Sequence, residues 1–218
     1  APTVTRGALF PCAAVCSILL RMDSPERSGK PRRRGRPGLE PSDWIDAAIE
    51  ALAEGGLPSV AIEPLARRLG VTKGSFYHHF GSLDALVEAL LEAWEREGTD
   101  RVITELDAGA DPRARLRALV HLSWDRLEHL RAEGALSAAA ASGDARVAPV
   151  VARVTAKRLA YVERIYRALG HPRAAARRRA LHALAAYLGT IALAGAGAIG
   201  GERELRAYAR HLEAALLA

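Results

Sequence analysis

Apolar residues recur at helical spacing through most of the chain. Ile45, Ala48, Ile49 and Leu52 predict a first helix. Pro41 suits its first position, Asp43 and Asp46 lie near its positive end, and Gly55-Gly56 stops it. A second, short helix is predicted over residues 62–69, with Pro64 tolerated in its first turn and Gly70 at its end. Thr72 is placed to cap a third helix over 73–80 through its hydroxyl. Ser82 is expected to cap a fourth, long helix whose apolar face is Leu83, Leu86, Val87, Leu90, Leu91 and Trp94. Beyond Gly109 the amphipathic segments lengthen. One is predicted over 112–131, with Leu116, Leu119, Val120, Leu127 and Leu130 on one face, followed by a short helix over 135–141. A long one over 147–169 carries Val150, Val151, Val154, Tyr161, Val162 and Ile165, and two more run over 173–194 and 202–217. Strand-like alternation and internal repeats are absent, so the pattern predicts an all-α chain in two parts.

Composition agrees and adds little about chemistry. Of the 218 residues half are hydrophobic, enough to bury a sizeable core, and the net charge of +6 permits a polyanionic partner. The position of the charge is more informative. Arg27, Lys30, Arg32, Arg33, Arg34 and Arg36 crowd one Gly/Pro-containing stretch. That stretch reads either as a solvated tail or as a basic arm lying on nucleic acid. Cys12 and Cys16 make neither a disulfide framework nor a zinc site by themselves. The apolar run 8–20 is too short to span a membrane and resembles a signal-peptide core. The alternative, preferred because the only Met is Met22, is a leader upstream of the native start. The expected location is the cytoplasm, with no membrane partner.

The stretch V-T-K-G-S-F-Y-H-H-F-G-S, residues 71–82, holds the chemistry. Helix, Gly70-Val71-Thr72 turn, helix is the spacing of a helix-turn-helix, whose second helix enters the major groove by its N-terminal residues. Lys73 can donate to guanine acceptors, Gly74 permits close backbone approach, and Tyr77 lies one turn on along the same face. His78 and His79 face the flanking phosphates, though His79 can equally be a half-buried, satisfied histidine. Phe76 and Phe80, four apart, are read as core. Adjacent histidines make a poor metal site, so no metal is expected.

Residues 40 to about 94 resemble the DNA-binding domain of the TetR family of bacterial repressors. The match is carried by I-D-A-A-I-E-A-L-A-E-G-G-L and L-A-R-R-L-G-V-T-K-G-S-F-Y-H-H-F-G-S-L-D-A-L. The resemblance implies that Thr72, Lys73, Gly74, Ser75 and Tyr77 read bases or adjoining backbone, and that His78 and His79 grip phosphate. It implies a helix-turn-helix domain over 40–82, after a disordered leader and basic arm over 1–39, and a helical ligand-binding and dimerisation domain over 83–218. Three residues depart from the family pattern. Ala61-Ile62 stands where Ser or Thr often caps the second helix, Glu63 where some members place a basic base-reading residue, and Leu83 where a Lys is frequent. The arm at Arg32, Arg33, Arg34 and Arg36 is expected to compensate by entering the minor groove.

The segment G-A-G-A-I-G, residues 195–200, matches a dinucleotide fingerprint, but only eighteen residues follow and none can take the acidic role. It is read as the loop before the last helix. The resemblance implies that the last two helices form a four-helix bundle with their copies in a two-fold dimer. Leu181, Leu184, Leu188 and Ile191 supply one stripe, and Leu205, Tyr208, Leu212 and Leu216 the other. His121, Trp124, Tyr161 and Tyr187, large or polar groups on apolar helices, are the candidate contacts for a moderately apolar, aromatic effector. No catalytic constellation and no cofactor site is found. The expected partners are a palindromic double-stranded operator, a small-molecule effector and a second copy of the chain. The rival reading is a non-switching architectural DNA-binding protein whose C-terminal helices serve dimerisation alone.

Overall fold

The computed structural model of the chain describes residues 39–109, 111–124 and 127–218, within one compact unit, Leu39–Ala218. Every regular element among the described residues is helical: α1 Pro41–Gly55, a 3₁₀ turn Leu57–Ser59, α2 Ile62–Leu69, α3 Lys73–His79, α4 Leu83–Glu95, a π-helical turn Arg96–Asp100, α5 Arg101–Asp107, α6 Pro112–Ser123, α7 Leu127–Ala141, α8 Val147–Ala168, α9 Arg173–Gly195 and α10 Glu202–Leu217.

Local chemistry accounts for the helix ends. Glu40 and Asp43 close a reciprocal capping box at α1. Ser82 accepts from the Ala85 amide at 3.1 Å, and Asp111 accepts from the Arg113 and Ala114 amides. Thr72 sits at the cap position of α3, but its side chain makes no cap bond, contrary to the sequence expectation. Its hydroxyl stays on the exposed surface, and the turn is closed instead by the Ser75 amide donating to the Thr72 carbonyl at 3.1 Å. Gly70 ends α2 at φ 69°, ψ 33°, a left-handed conformation that disfavours any side chain, and Val71 N–H donates to the Ala66 carbonyl.

α1, α2, α3 and α4 enclose one core. Trp44 and Phe76 are both fully buried and meet edge to face at 5.3 Å, and Phe80 stacks on Phe76 at 5.7 Å. Leu86, Val87, Leu90 and Leu91 close this core from α4, joined by Leu136 of α7 and Val147 of α8. The head is therefore continuous with the body. α1 also packs along α7.

The helical backbone continues from Leu83 to Asp107, through the π turn, so α4 to α5 is one rod joining head to body. The body stacks α6, α7, α8, α9 and α10 around Leu116, Val120, Leu130, Ile165, Tyr166 and Leu205. The expected helix over 112–131 is two helices: α6 ends at Trp124, and α7 runs from Leu127 through the stretch expected to break it. Residues 195–200 close α9 and lead to α10, with Gly197 at φ 70°; the run follows a helix, as the loop reading requires.

Candidate nucleic-acid interface and ligand cavity

α3 is anchored from behind and presents its front. Phe76 and Phe80 hold it to the head core, so Thr72, Lys73, Gly74, Tyr77 and His78 are exposed, with Ser75 and His79 half-buried. Tyr77 is 59% exposed, the most exposed large hydrophobic residue among those described, with its ring edge-on to Phe76 at 5.3 Å. A side chain at Gly74 would meet only Thr72 Oγ1, at 3.5 Å, so packing within the chain does not demand glycine there. The His78 and His79 rings meet edge to face at 5.2 Å. Lys73 forms an ion pair with Glu63 of α2, and the hydrogen bond from Lys73 lowers the Glu63 pKa. Glu63, flagged by sequence only as a departure, thus lies beside the leading residue of the exposed helix. Arg68 is tied back to Glu50 and Glu54 of α1. Arg32, Arg33, Arg34 and Arg36 lie outside the described residues.

The body holds a cavity of about 890 Å³. Leu52–Gly56 at the end of α1, Trp94 of α4, and residues of α7, α8 and α9 line it. Its walls are mainly apolar, with Leu130, Val151, Val154, Leu184, Leu188 and Ile191 among them. Its polar part centres on Arg158 and Glu133. The guanidinium donates Nη1 to Glu133 Oε2 at 3.0 Å, Nη2 to Oε1 at 2.8 Å, and Nε to Thr99 Oγ1 at 2.9 Å. Nη2 also reaches the Gly98 carbonyl at 3.4 Å. Trp94 Nε1 donates to Glu133 Oε1 at 2.9 Å, and Arg158 lies over the Trp94 and Tyr187 rings at 5.2 and 5.9 Å. Burial alone would lower the Arg158 pKa; Glu133 and the Tyr187 phenol outweigh it and raise it. Burial, followed by Glu133, raises the Tyr187 phenol.

None of the four expected effector contacts lines this cavity. His121 Nε2 lies 2.8 Å from Glu213 on the protein surface, beside Arg117. Trp124 is buried and donates to Thr190 Oγ1 at 2.9 Å. Tyr161 is buried in the body core, where burial and then Asp107 push its phenol up to about 12. Tyr187 touches the cavity only through Arg158. The polar tips of Trp124 and Tyr187 meet partners inside the chain, while the buried Tyr161 hydroxyl has no hydrogen-bond partner among the described residues. Sequence reading missed Arg158 and Glu133, charged residues 25 positions apart that only the packing of α7 against α8 brings together. A signal existed: Arg158 falls four residues after Val154 and four before Val162, on the apolar stripe of its own helix.

The expected dimer stripes divide. Leu181, Leu188 and Tyr208 are exposed at 46%, 41% and 39%, and Leu184 is half-buried. Ile191, Leu205, Leu212 and Leu216 are buried in the chain's own core, so they cannot form an outward face. The exposed apolar residues are Leu181, Ala185, Leu188, Ala192 and Leu193 on α9, and Ala207 and Tyr208 on α10.

A short helix pinned by aromatic residues, following a glycine turn and joined by a rod to a larger helical body, defines the class: a two-part helical protein with a helix-turn-helix head. Residues 45–90 match the family model described as bacterial regulatory proteins, tetR family. The match covers the head alone, which is similar to the DNA-binding segment of that family. The HTH-type transcriptional regulator BetI of Burkholderia cenocepacia (strain HI2424) is 33% identical over 96 residues, 42% of this chain and 47% of the relative. The chain spans about half the length of the curated relatives it matches. A transcriptional regulator from Rhodococcus sp. Rha1 superposes with TM-score 0.66 at 22% identity, covering 82% of this chain and 96% of that one. A regulator from Saccharomonospora viridis, solved in complex with choline, superposes with TM-score 0.62 at 19% identity over 78% and 93% of the two chains. These two likenesses extend the shared fold to the body. Among the described residues, no helix is long and apolar enough to cross a membrane.

Proposed function

We propose that the chain is a transcriptional repressor that binds a palindromic operator as a homodimer and is released by a small apolar or aromatic molecule. The observation that carries this reading is the exposed Lys73–Tyr77 face, held rigidly by Phe76 and Phe80 inside the segment that matches the family. Thr72, Lys73, Gly74, Ser75 and Tyr77 read bases and adjoining backbone. His78 and His79 hold phosphate, and the arm at Arg32–Arg36 adds sequence-independent attraction. Lys73 must leave Glu63 to reach a guanine; because both groups are exposed, that exchange is inexpensive.

The effector occupies the cavity. The cavity touches the end of α1 and Trp94 of the rod, so a ligand there contacts the head's own elements and can favour an arrangement that no longer matches two half-sites. This favours a switching protein over an architectural one: dimerisation alone requires no cavity between head and body.

The test is fluorescence anisotropy on DNA from the chain's own upstream region against scrambled DNA across a salt series. Specific binding is expected, with Lys73→Ala or Tyr77→Ala each weakening it by about 1–3 kcal/mol, roughly 5- to 150-fold. Equal, steeply salt-dependent binding to both DNAs would leave only non-specific attraction and overturn operator recognition.

A further inference from the structure

We infer that the cavity selects an uncharged ligand, apolar in its body with a hydroxyl or carbonyl at one end, and discriminates against carboxylates and amines. This deepens the effector reading above and rests on it for function, though not for binding.

The argument is one of charge balance. Among the described residues, the charged ones lining the cavity are Glu54, Arg131, Glu133 and Arg158, two of each sign. Glu54 is exposed and paired with Arg68, and Arg131 lies at the exposed rim. Inside, Arg158 and Glu133 neutralise each other, with side chains only 18% and 11% exposed. Their hydrogen bonds are also spent on protein. Four of the five guanidinium N–H groups go to Glu133, Thr99 and Gly98, and the Tyr187 phenol engages Arg158 as well. Glu133 Oε1 accepts from both Arg158 and Trp94.

An incoming carboxylate would have to take Arg158 from Glu133 and leave a buried carboxylate without its partner. An incoming ammonium would strand Arg158 in the same way. Either adds a net charge to a half-dry, low-dielectric site, a larger loss than any exposed ion pair at Arg131 restores. What remains for a ligand is the apolar wall and the hydroxyls of Ser137 and Thr155, which line the cavity and can donate or accept.

The experiment is isothermal titration calorimetry of the full chain, without DNA, against three eight-carbon probes: octan-1-ol, octanoate and octylammonium. Octan-1-ol is expected to bind about tenfold or more tightly than either charged probe. Glu133→Gln leaves Arg158 uncompensated and is expected to raise octanoate affinity about tenfold with little change for octan-1-ol. Arg158→Met should do the same for octylammonium, and serves if Glu133→Gln fails to fold. Octanoate or octylammonium matching octan-1-ol in the unsubstituted chain overturns the inference, as does no heat with any probe. The operator assay is separate: a chain that prefers octan-1-ol but binds no specific DNA keeps this inference and loses the repressor reading.

Discussion

Glu95, 8% exposed, stands at the last position of α4 with its carboxylate gripped from α8. Arg153 Nε donates at 3.0 and 3.2 Å, Arg153 Nη2 at 2.5 Å, and Lys157 Nζ lies 2.8 Å away. The Arg153 hydrogen bonds first, and Lys157 second, hold its pKa at about 2 against an ordinary 4.5. A carboxylate whose pKa is depressed on folding stabilises the fold at pH above its unfolded value, and that contribution is lost as pH falls toward the folded one. The loss here falls between pH 4.5 and about 2. Arg153 and Lys157 are 52% and 39% exposed, so solvent screening reduces the contribution to ~1–2 kcal/mol. Glu95→Gln should therefore lower the urea midpoint at neutral pH and leave it nearly unchanged near the lower end of that window. Urea titrations at both pH values check this. An equal loss at both would mean that packing, not charge, fixes Glu95. Asp144, held at about 2 mainly by Arg146, keeps part of the acid slope in the variant.

At the scale of elements, the π turn Arg96–Asp100 is fastened on both sides. Glu95 and Asp100 take Arg153 and Lys157, while Thr99 and the Gly98 carbonyl take Arg158, the cavity's own arginine. π turns within helices recur at functional positions, and this one lies where the rod leaves the head. Thr99 is 1% exposed. Thr99→Val would leave the Arg158 Nε–H unpaired and should cost ~1–3 kcal/mol, while Thr99→Ser should restore most of it. Thermal melts check the pair, at about 2–4 °C per kcal/mol for a chain of this size. The turn itself was not legible in the sequence, because residues 95–101, E-R-E-G-T-D-R, carry no apolar side chain to set a period. Nor was the break at Trp124. Leu116, Val120, Leu127 and Leu130 keep helical spacing across the junction of α6 and α7, so periodicity reads straight through a break. By contrast the head was legible almost to the residue. Its helices are short, its turn needs Gly70, and its core contacts lie close along the chain. The cavity draws on residues from Leu52 to Gly197, and no local pattern encodes it.

At the scale of the molecule, the question is what covers the outward face of α9 and α10. Sequence reading chose stripes by size and so mixed two faces. In α9 the small residues Ala176, Ala180 and Ala183 point inward, letting α8 and α7 approach closely, while Leu181 and Leu188 point out. In α10, Leu205, Leu212 and Leu216 turn inward and Tyr208 outward. A single chain thus leaves Leu181, Leu188, Leu193 and Tyr208 in water, spaced among exposed alanines that allow a close helix approach. A two-fold copy seated there would bring two heads to one DNA face, the arrangement a palindrome requires. Leu181 is the informative position, since it belongs to this face and not to the cavity wall. Leu181→Glu should leave the single chain's stability within ~0.5 kcal/mol, because the side chain is already solvated. It should nevertheless convert a dimer to a monomer by light scattering and abolish preference for operator over scrambled DNA. A variant that stays dimeric would place the interface elsewhere. Leu188 and Ala192 line the cavity and are also exposed on this flank of α9, so under the proposed function a dimer contact and a ligand would meet on one helix. A ligand that moves α9 acts on the spacing of the heads through the interface as well as through the rod, and loss of the dimer in Leu181→Glu should weaken ligand binding as well as DNA binding.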